Sequence, residues 1–331
     1  MAQSIDFSTI ATDLGAYCRD FKGDIFNDIY LSLDKIDDRM MVDANLTAER
    51  PLLAIQVADI VKPANSSSFS GTTDAIKVGD RLLTPRGWKV DLILDYQKLW
   101  NTWLFHYGTQ KPGVPTEQNL IVPFHQYCMA YVAKRTQANL RKALFQGVYN
   151  GAGTTPVDVL NGVKAIDDAE IIAGNLVAVA NTNGVGNMAN NIAAVHASLG
   201  LGFQDAPTVM LLGSTYYRDY IKEVGTGTTK TIVLDGTKGK QTVIADAIRT
   251  VDGFENCEIK HEPLLPANAI LCTTKDNMCV GFDSASRNGQ IRIQEFERTL
   301  KVMIDGAIGF NFHQTKWLNS NEKPVAINDK W

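Results

Sequence analysis

The chain has 331 residues, 45% hydrophobic and 21% charged, which is long enough to bury a sizeable core as one domain or two connected ones. Its 32 basic side chains against 36 acidic ones leave a formal charge of -4, which excludes a basic protein whose main task is gripping phosphates. The five cysteines (Cys18, Cys128, Cys257, Cys272, Cys279) are odd in number, far apart and in no C-x-x-C pair, so a disulfide framework and a zinc finger are excluded and reduced thiols are expected.

The opening MAQSIDFSTIATDLG has no basic start followed by an apolar run, and the longest apolar stretch, Ile171 to Ala180, is too short to span a bilayer. A soluble protein with no membrane partner is expected. Residues 1 to about 50 alternate short apolar clusters with acidic and small polar residues, and Ser8 or Thr9 is placed to cap a helix toward Arg19. This stretch reads as an arm more than as core. LLAIQVADIV (52 to 61) reads as a strand, NSSSFSGTTD breaks it, and IKVGDRLLTPRGWKVDLIL resumes. The turn residues Thr84, Pro85, Arg86 and Gly87 between two strand-like runs predict a long hairpin standing away from the rest.

HYGTQKPGVP is a linker, and a long helix is expected from about Leu120 to Val148, with Met129, Ala133, Thr136, Leu140, Leu144 and Val148 at spacings of three or four. Pro123 suits its first turn, and Gly147 and Gly151 suit its end. At 1.5 Å per residue it would run about 40 Å, a spine across a flat subunit. From Thr154 onward LVAVA, Met188 to Leu199, TVMLL and Ser214 to Val224 (Ser214 as N-cap) alternate as a mixed α+β unit, with Gly-rich connections and no fixed repeat. The end of the chain is extended. IRIQEF is followed by TLKVMIDGAIGFNFHQ, in which Leu300, Val302 and Ile304 alternate, as do Ile308, Phe310 and Phe312. Asp305 and Gly306 allow a hairpin turn or a bulge in one long strand, and the bulge is preferred.

This order of parts resembles the major capsid proteins of tailed double-stranded DNA bacteriophages with the Hong Kong 97 fold. The closest local agreement lies in ALFQGVYNGAGTTPVDVLNGVKAI (Ala143 to Ile166) and in Glu262 to Phe312, from EPLLPANAIL to MIDGAIGFNF. The resemblance implies an α+β fold with an N-terminal arm (1 to 54), an extended hairpin loop (55 to 106), a peripheral domain carrying the spine helix (107 to 153) and closed by 284 to 331, and an axial domain (154 to 283). It implies a non-enzymatic subunit that assembles with itself as pentamers and hexamers into an icosahedral head, each extended loop lying over a neighbour. Leu82, Leu83, Arg86, Trp88, Lys89 and Val90 are the expected intersubunit contacts. Portal, scaffolding and decoration proteins are the expected partners, with DNA enclosed but not read, in a virion assembled in the host cytoplasm. The sequence starts at the arm without a long charged helical extension, so either a separate scaffolding protein is expected or the numbering begins after a cleavage, and Met1 favours the former. Some members of the family crosslink subunits through a lysine, an asparagine and a buried glutamate, for which Lys77 or Lys89, Asn288 or Asn311, and Glu295 or Glu297 are the matching residue types.

Rival readings rest on weaker patterns. An encapsulin-type compartment would share the fold, and a phage tail or adhesin component would be more β-rich. Gly184, Gly186 and Ala189 match G-x-G-x-x-A, as in a soluble nucleotide-dependent enzyme, but Asn181 to Asn183 separate the glycines from the preceding apolar run, so a structural turn is the better reading. In Gly225 to Thr231, Thr229 stands where a phosphate loop needs glycine. His106, His125, His196, His261 and His313 lack metal-ligand spacing, so no cofactor or metal is expected. Lys134, Arg135, Arg141 and Lys142 read as the solvated face of the spine helix, and Trp100, Trp103 and Tyr107 as packing.

Overall fold

The computed structural model describes residues 7–31, 36, 38–57, 61, 76–95, 98, 124–184, 186–226, 250–251, 254–283, 290–296, 299–316 and 323–330. The HYGTQKPGVP linker, the Trp100, Trp103 and Tyr107 cluster, His106, Pro123 and residues 227–231 lie outside them. Near the N-terminus run two helices, α1 (Phe7–Asp20) and α2 (Lys22–Leu31). Ser8 and Thr9 therefore sit inside the first turn of α1 and not before it. The expectation of an arm set apart from the core fails here. Leu14, Cys18, Ile25, Phe26, Ile29 and Tyr30 are all buried in the main hydrophobic cluster. The physical reason is spacing: Ile25, Phe26, Ile29 and Tyr30 fall on one helical stripe, and α2 lays it against the spine helix α3 (Phe124–Gln146).

The stripe predicted on α3 is present, with Met129, Ala133, Thr136, Leu140 and Leu144 buried, whereas Val148 lies past the helix end and is exposed. Gly147 ends the helix by close approach. Its N–H donates to Ala143 O at 2.8 Å, and a Cβ there would sit 2.3 Å from Leu160 O.

The first sheet is organised by one long strand, β11 (Thr299–Phe312), which alternates buried and less buried residues along its length. On one side it pairs antiparallel with β4 (Arg86–Asp95), from Thr299 opposite Asp95 to Ile308 opposite Arg86. On its other side lie β10 (Gln290–Phe296) and then β9 (Met278–Phe282), and β1 (Met41–Asp43) pairs parallel with β9. Asp305 and Gly306 make no hairpin, as expected, but they make no bulge either, since the register to β4 runs through them without a shift. A different constraint selects the glycine: a Cβ on Gly306 would meet the Trp88 ring at 2.4 Å.

The second sheet has the order β12, β8, β5, β7, β6, built from β5 (Thr208–Leu212), β6 (Thr250–Val251), β7 (Phe254–His261), β8 (Ile270–Thr274) and β12 (Val325–Ile327). Helix α4 (Val163–Ile172) packs on the spine helix and β11, whereas α5 (Met188–Ala197) packs on this second sheet and α6 (Ser214–Thr226) packs on α5. Strand β5 is buried on both faces: Val209 and Leu211 join the main core, Met210 and Leu212 a second one with Tyr216, Cys257 and Ile259. This is why TVMLL reads as an unbroken apolar run. The LVAVA stretch is not a strand, and only Val179 forms a bridge, to Asn328.

The remaining strands, β2 (Arg50–Val57) and β3 (Ile76–Leu83), form a separate two-stranded ribbon. The predicted hairpin is thus misplaced by one strand. β3 pairs with β2, and the turn residues Thr84 to Gly87 hand the chain over to β4 in the first sheet. The alternation of GWKVDLIL suits a projecting hairpin and a sheet strand equally. Long-range pairing with β11 decides it.

Candidate assembly surfaces

In the ribbon, residues directly opposite share a face, so Leu53, Ile55, Ile76, Val78 and Leu82 all point the same way. They are 65%, 66%, 65%, 58% and 49% exposed, an apolar row on one side of a two-stranded element that the register interrupts once, at Asp80 opposite Leu53. On the opposite face Leu52, Ala54 and Leu83 are buried. Leu52 and Leu83 pack with Leu46 and Cys279, which seats the base of the ribbon on the first sheet.

Between these apolar contacts lies a polar hub. Arg81 Nη1 donates to Glu170 Oε1 (2.7 Å) on α4 and to Thr315 Oγ1 (2.7 Å), and its Nε and Nη2 donate to Asn311 Oδ1 (3.3 and 3.0 Å) on β11. Asn311 Nδ2 donates in turn to Leu82 O (2.8 Å), and Asn175 Nδ2 to Glu170 Oε2 (2.6 Å). Burial pushes the Glu170 carboxyl up, but the hydrogen bonds from Arg81 and Asn175 and the Arg81 charge outweigh it, leaving Glu170 below the usual carboxylate range. One turn earlier, Asp167 is fully buried, and neither of its oxygens has a hydrogen-bond partner among the described residues. Burial first, then the charges of Asp168 and Glu170, raise it well above an ordinary carboxyl.

The expected intersubunit contacts divide. Leu82 belongs to the exposed row, whereas Leu83 and Trp88 are buried inside the subunit and Val90 packs against the core. Arg86 lies with its guanidinium 4.3 Å from the centre of the Tyr149 ring, and exposed Lys89 pairs with Asp91 at 2.8 Å. Leu53, Ile55, Ile76 and Val78 were missed, although their period-2 alternation was visible; placing them needed the β2–β3 pairing. Tyr149 also lines a groove of about 610 Å³ between β4, α3 and the Gly-rich segment after α3. Its walls are Trp88, Val90, Leu140, Pro156 and Val159, with no histidine or cysteine among them.

Of the crosslinking residue types, Asn311 is committed to Arg81 and Leu82. The side chains of Lys77 and Glu295, and all of Asn288 and Glu297, lie outside the described residues. The G-x-G-x-x-A segment is a turn filled from within. Gly184 and Gly186 take φ of 111° and 98°, and the Glu223 carboxylate accepts the N–H groups of Gly186 (2.8 Å), Met188 (2.8 Å) and Ala189 (3.2 Å). Those amides, which a nucleotide phosphate would need, already hold a carboxylate. His261 stacks on Tyr217 at 4.9 Å, and its Nε2 lies 3.1 Å from Ser214 Oγ, the hydroxyl expected to cap α6.

Sequence reading also missed an ionic cluster. Glu262, fully buried after β7, accepts from Arg141 Nη2 (2.8 Å) on α3 and from Arg39 Nη1 in the segment after α2. Arg141 is therefore not part of a solvated basic stripe, whereas Lys134, Arg135 and Lys142 are exposed. Arg39 Nη2 donates as well to His261 O (3.0 Å). No helix among the described residues is long and apolar enough to cross a membrane, and no group of metal-ligating side chains occurs among them.

No protein-family model and no curated protein matches the sequence. Solved structures do. The "Cyanophage A-1(L) capsid asymmetric unit" aligns over 90% of this chain and 92% of its own with a TM-score of 0.55 at 11% identity. A chain of the "Satellite phage P4 procapsid including size determination (Sid) protein" aligns over 90% and 98% with a TM-score of 0.52 at 14% identity. The chain has the fold of these phage capsid chains. "The capsid of Myoviridae Phage XM1" aligns over 90% and 91% with a TM-score of 0.50 at 10% identity. Because the alignments cover 90% of this chain, the likeness concerns the α+β architecture as a whole and not one module.

Proposed function

We propose that this chain is the major capsid protein of a tailed double-stranded DNA phage, Hong Kong 97-like in detail, which assembles with copies of itself as pentamers and hexamers into an icosahedral head. The observation that supports the reading is the alignment of 90% of this chain with nearly the full length of capsid chains. The peripheral and axial domains take the boundaries given above, but the N-terminal helices pack on the core and the projecting loop is the ribbon of β2 and β3 without β4, so the neighbour-covering surface is the outer row of that ribbon, in place of Leu83 and Trp88. Its mechanism is association. Covering a row of five half-exposed aliphatic side chains contributes about 1 kcal/mol each, roughly 5 kcal/mol per neighbour. Bringing two subunits together costs about 4–15 kcal/mol, so one such contact gives a weak pair and only a closed array of many is stable. Portal, scaffolding and decoration proteins would complete a head that encloses DNA without reading it, built in the host cytoplasm.

Negative-stain microscopy and light scattering of the purified chain test this. Shells, rings or sheets are expected, and Ile55→Asp with Val78→Asp should leave a folded subunit that no longer assembles. A monodisperse small oligomer from the wild-type chain would overturn the proposal.

A further inference from the structure

The ribbon poses a problem that its burial pattern makes plain. Apart from Asp80 opposite Leu53, its outer row (Leu53, Ile55, Ile76, Val78, Leu82) is larger and more apolar than the apolar part of its inner one, which offers Leu52, Ala54, Gly79 and Leu83. Hydrophobicity alone would lay the outer row on the subunit's own body, through a half-turn of the ribbon or a one-residue slip that exchanges the faces. We propose that Arg81 is the positioning residue that forbids this, holding the ribbon inner face down so that the apolar row is presented outward to a second copy of the chain.

The geometry supports a selector more than a general anchor. Arg81 sits opposite Leu52 on the inner face, one pair in from Leu83 at the base, and its guanidinium meets acceptors from three places in the body: Glu170 on α4, Asn311 on β11 and Thr315 just after it. Each acceptor is itself oriented. Asn175 holds Glu170, and Asn311 also takes the ribbon backbone at Leu82 O. A planar guanidinium fits this fork in one posture only, whereas aliphatic contacts tolerate several. A ribbon turned over would strand Glu170 beside the buried Asp167 without its cation, so the wrong posture is penalised as well as the right one favoured. This inference rests on the reading that the outer row covers a neighbour.

The test separates posture from stability. Arg81→Met strands Glu170 and should lower the melting temperature. Arg81→Met with Glu170→Met removes both charges and should restore it, since a matched apolar pair is tolerated where half an ion pair is not. In the double variant, amide exchange across 76–83 should nevertheless run about tenfold faster than in wild type, because charge-assisted hydrogen bonds of that strength have been removed. Yield of regular shells should fall by a similar factor, giving irregular aggregates, while Arg81→Lys retains part of both. A double variant with wild-type ribbon exchange and wild-type shell yield would overturn the proposal. Ribbon exchange is read on the unassembled subunit. If the wild-type chain forms no shell, the capsid reading fails and the exchange measurement still decides the role of Arg81.

Discussion

Replacing Glu262 by Gln removes one negative charge and leaves the shape almost unchanged. Glu262 is 0% exposed, and its partners Arg39 and Arg141 are 14% and 24% exposed. The Leu264 N–H that Glu262 Oε1 accepts at 3.2 Å can still be accepted by the amide oxygen, so the substitution isolates the charge. Removing one partner of a buried pair costs about 3–5 kcal/mol, and because water reaches the edges of both guanidiniums the lower end, about 3 kcal/mol, applies. With an unfolding entropy of roughly 2.1 cal/mol/K per residue, this lowers the melting temperature of the unassembled subunit by about 4 °C. Thermal unfolding followed by circular dichroism reads it directly. Combining Glu262→Leu with Arg39→Met and Arg141→Met should recover most of the loss, since no charge is then left unpaired. A Glu262→Gln protein melting within about 1 °C of wild type would refute the view that this carboxylate ties the spine helix and the segment after α2 to the second sheet.

Gly162→Ala would place a Cβ 2.5 Å from Ala143 O and Leu144 O, and overpacking against backbone should cost about 2 kcal/mol, measured as a lower urea midpoint with unchanged slope. Glu223→Ala strips the acceptor from three N–H groups at the start of α5 and should cost about 1–2 kcal/mol, with amide exchange quickening first at Met188 and Ala189. Burial holds His196, His261 and His313 below the ordinary imidazole value. The unfolded chain therefore binds protons first as pH falls. Stability is full above about pH 7, declines as pH drops through the ordinary imidazole value toward the folded ones, and levels off below them. Melting curves should show this slope, and His313→Gln should flatten part of it; a melting temperature flat over that range would contradict the assignment.

Much of this fold was determined by local sequence. The spine helix follows from the stripe Met129 to Leu144 and its glycine stop, the long closing strand from the alternation of Leu300 to Phe312, and the doubly buried β5 from the run TVMLL. Each of these signals is complete within the element itself. Tertiary structure alone decided which strands pair. β3 and β4 carry the same alternation and are separated by turn residues, yet β4 goes to β11, more than two hundred residues away, and β3 to β2. A period-2 pattern states that a strand has two faces but not which neighbour covers either one. For the same reason the α1 and α2 stripes read as an arm, Arg141 read as a solvated charge, and the true apolar row was assigned one strand too late. Burial at those positions depends on partners brought from elsewhere in the chain: Glu262 for Arg141, the spine helix for α2, and Glu170 with Asn311 for Arg81, whose contacts decide which side of the ribbon faces out.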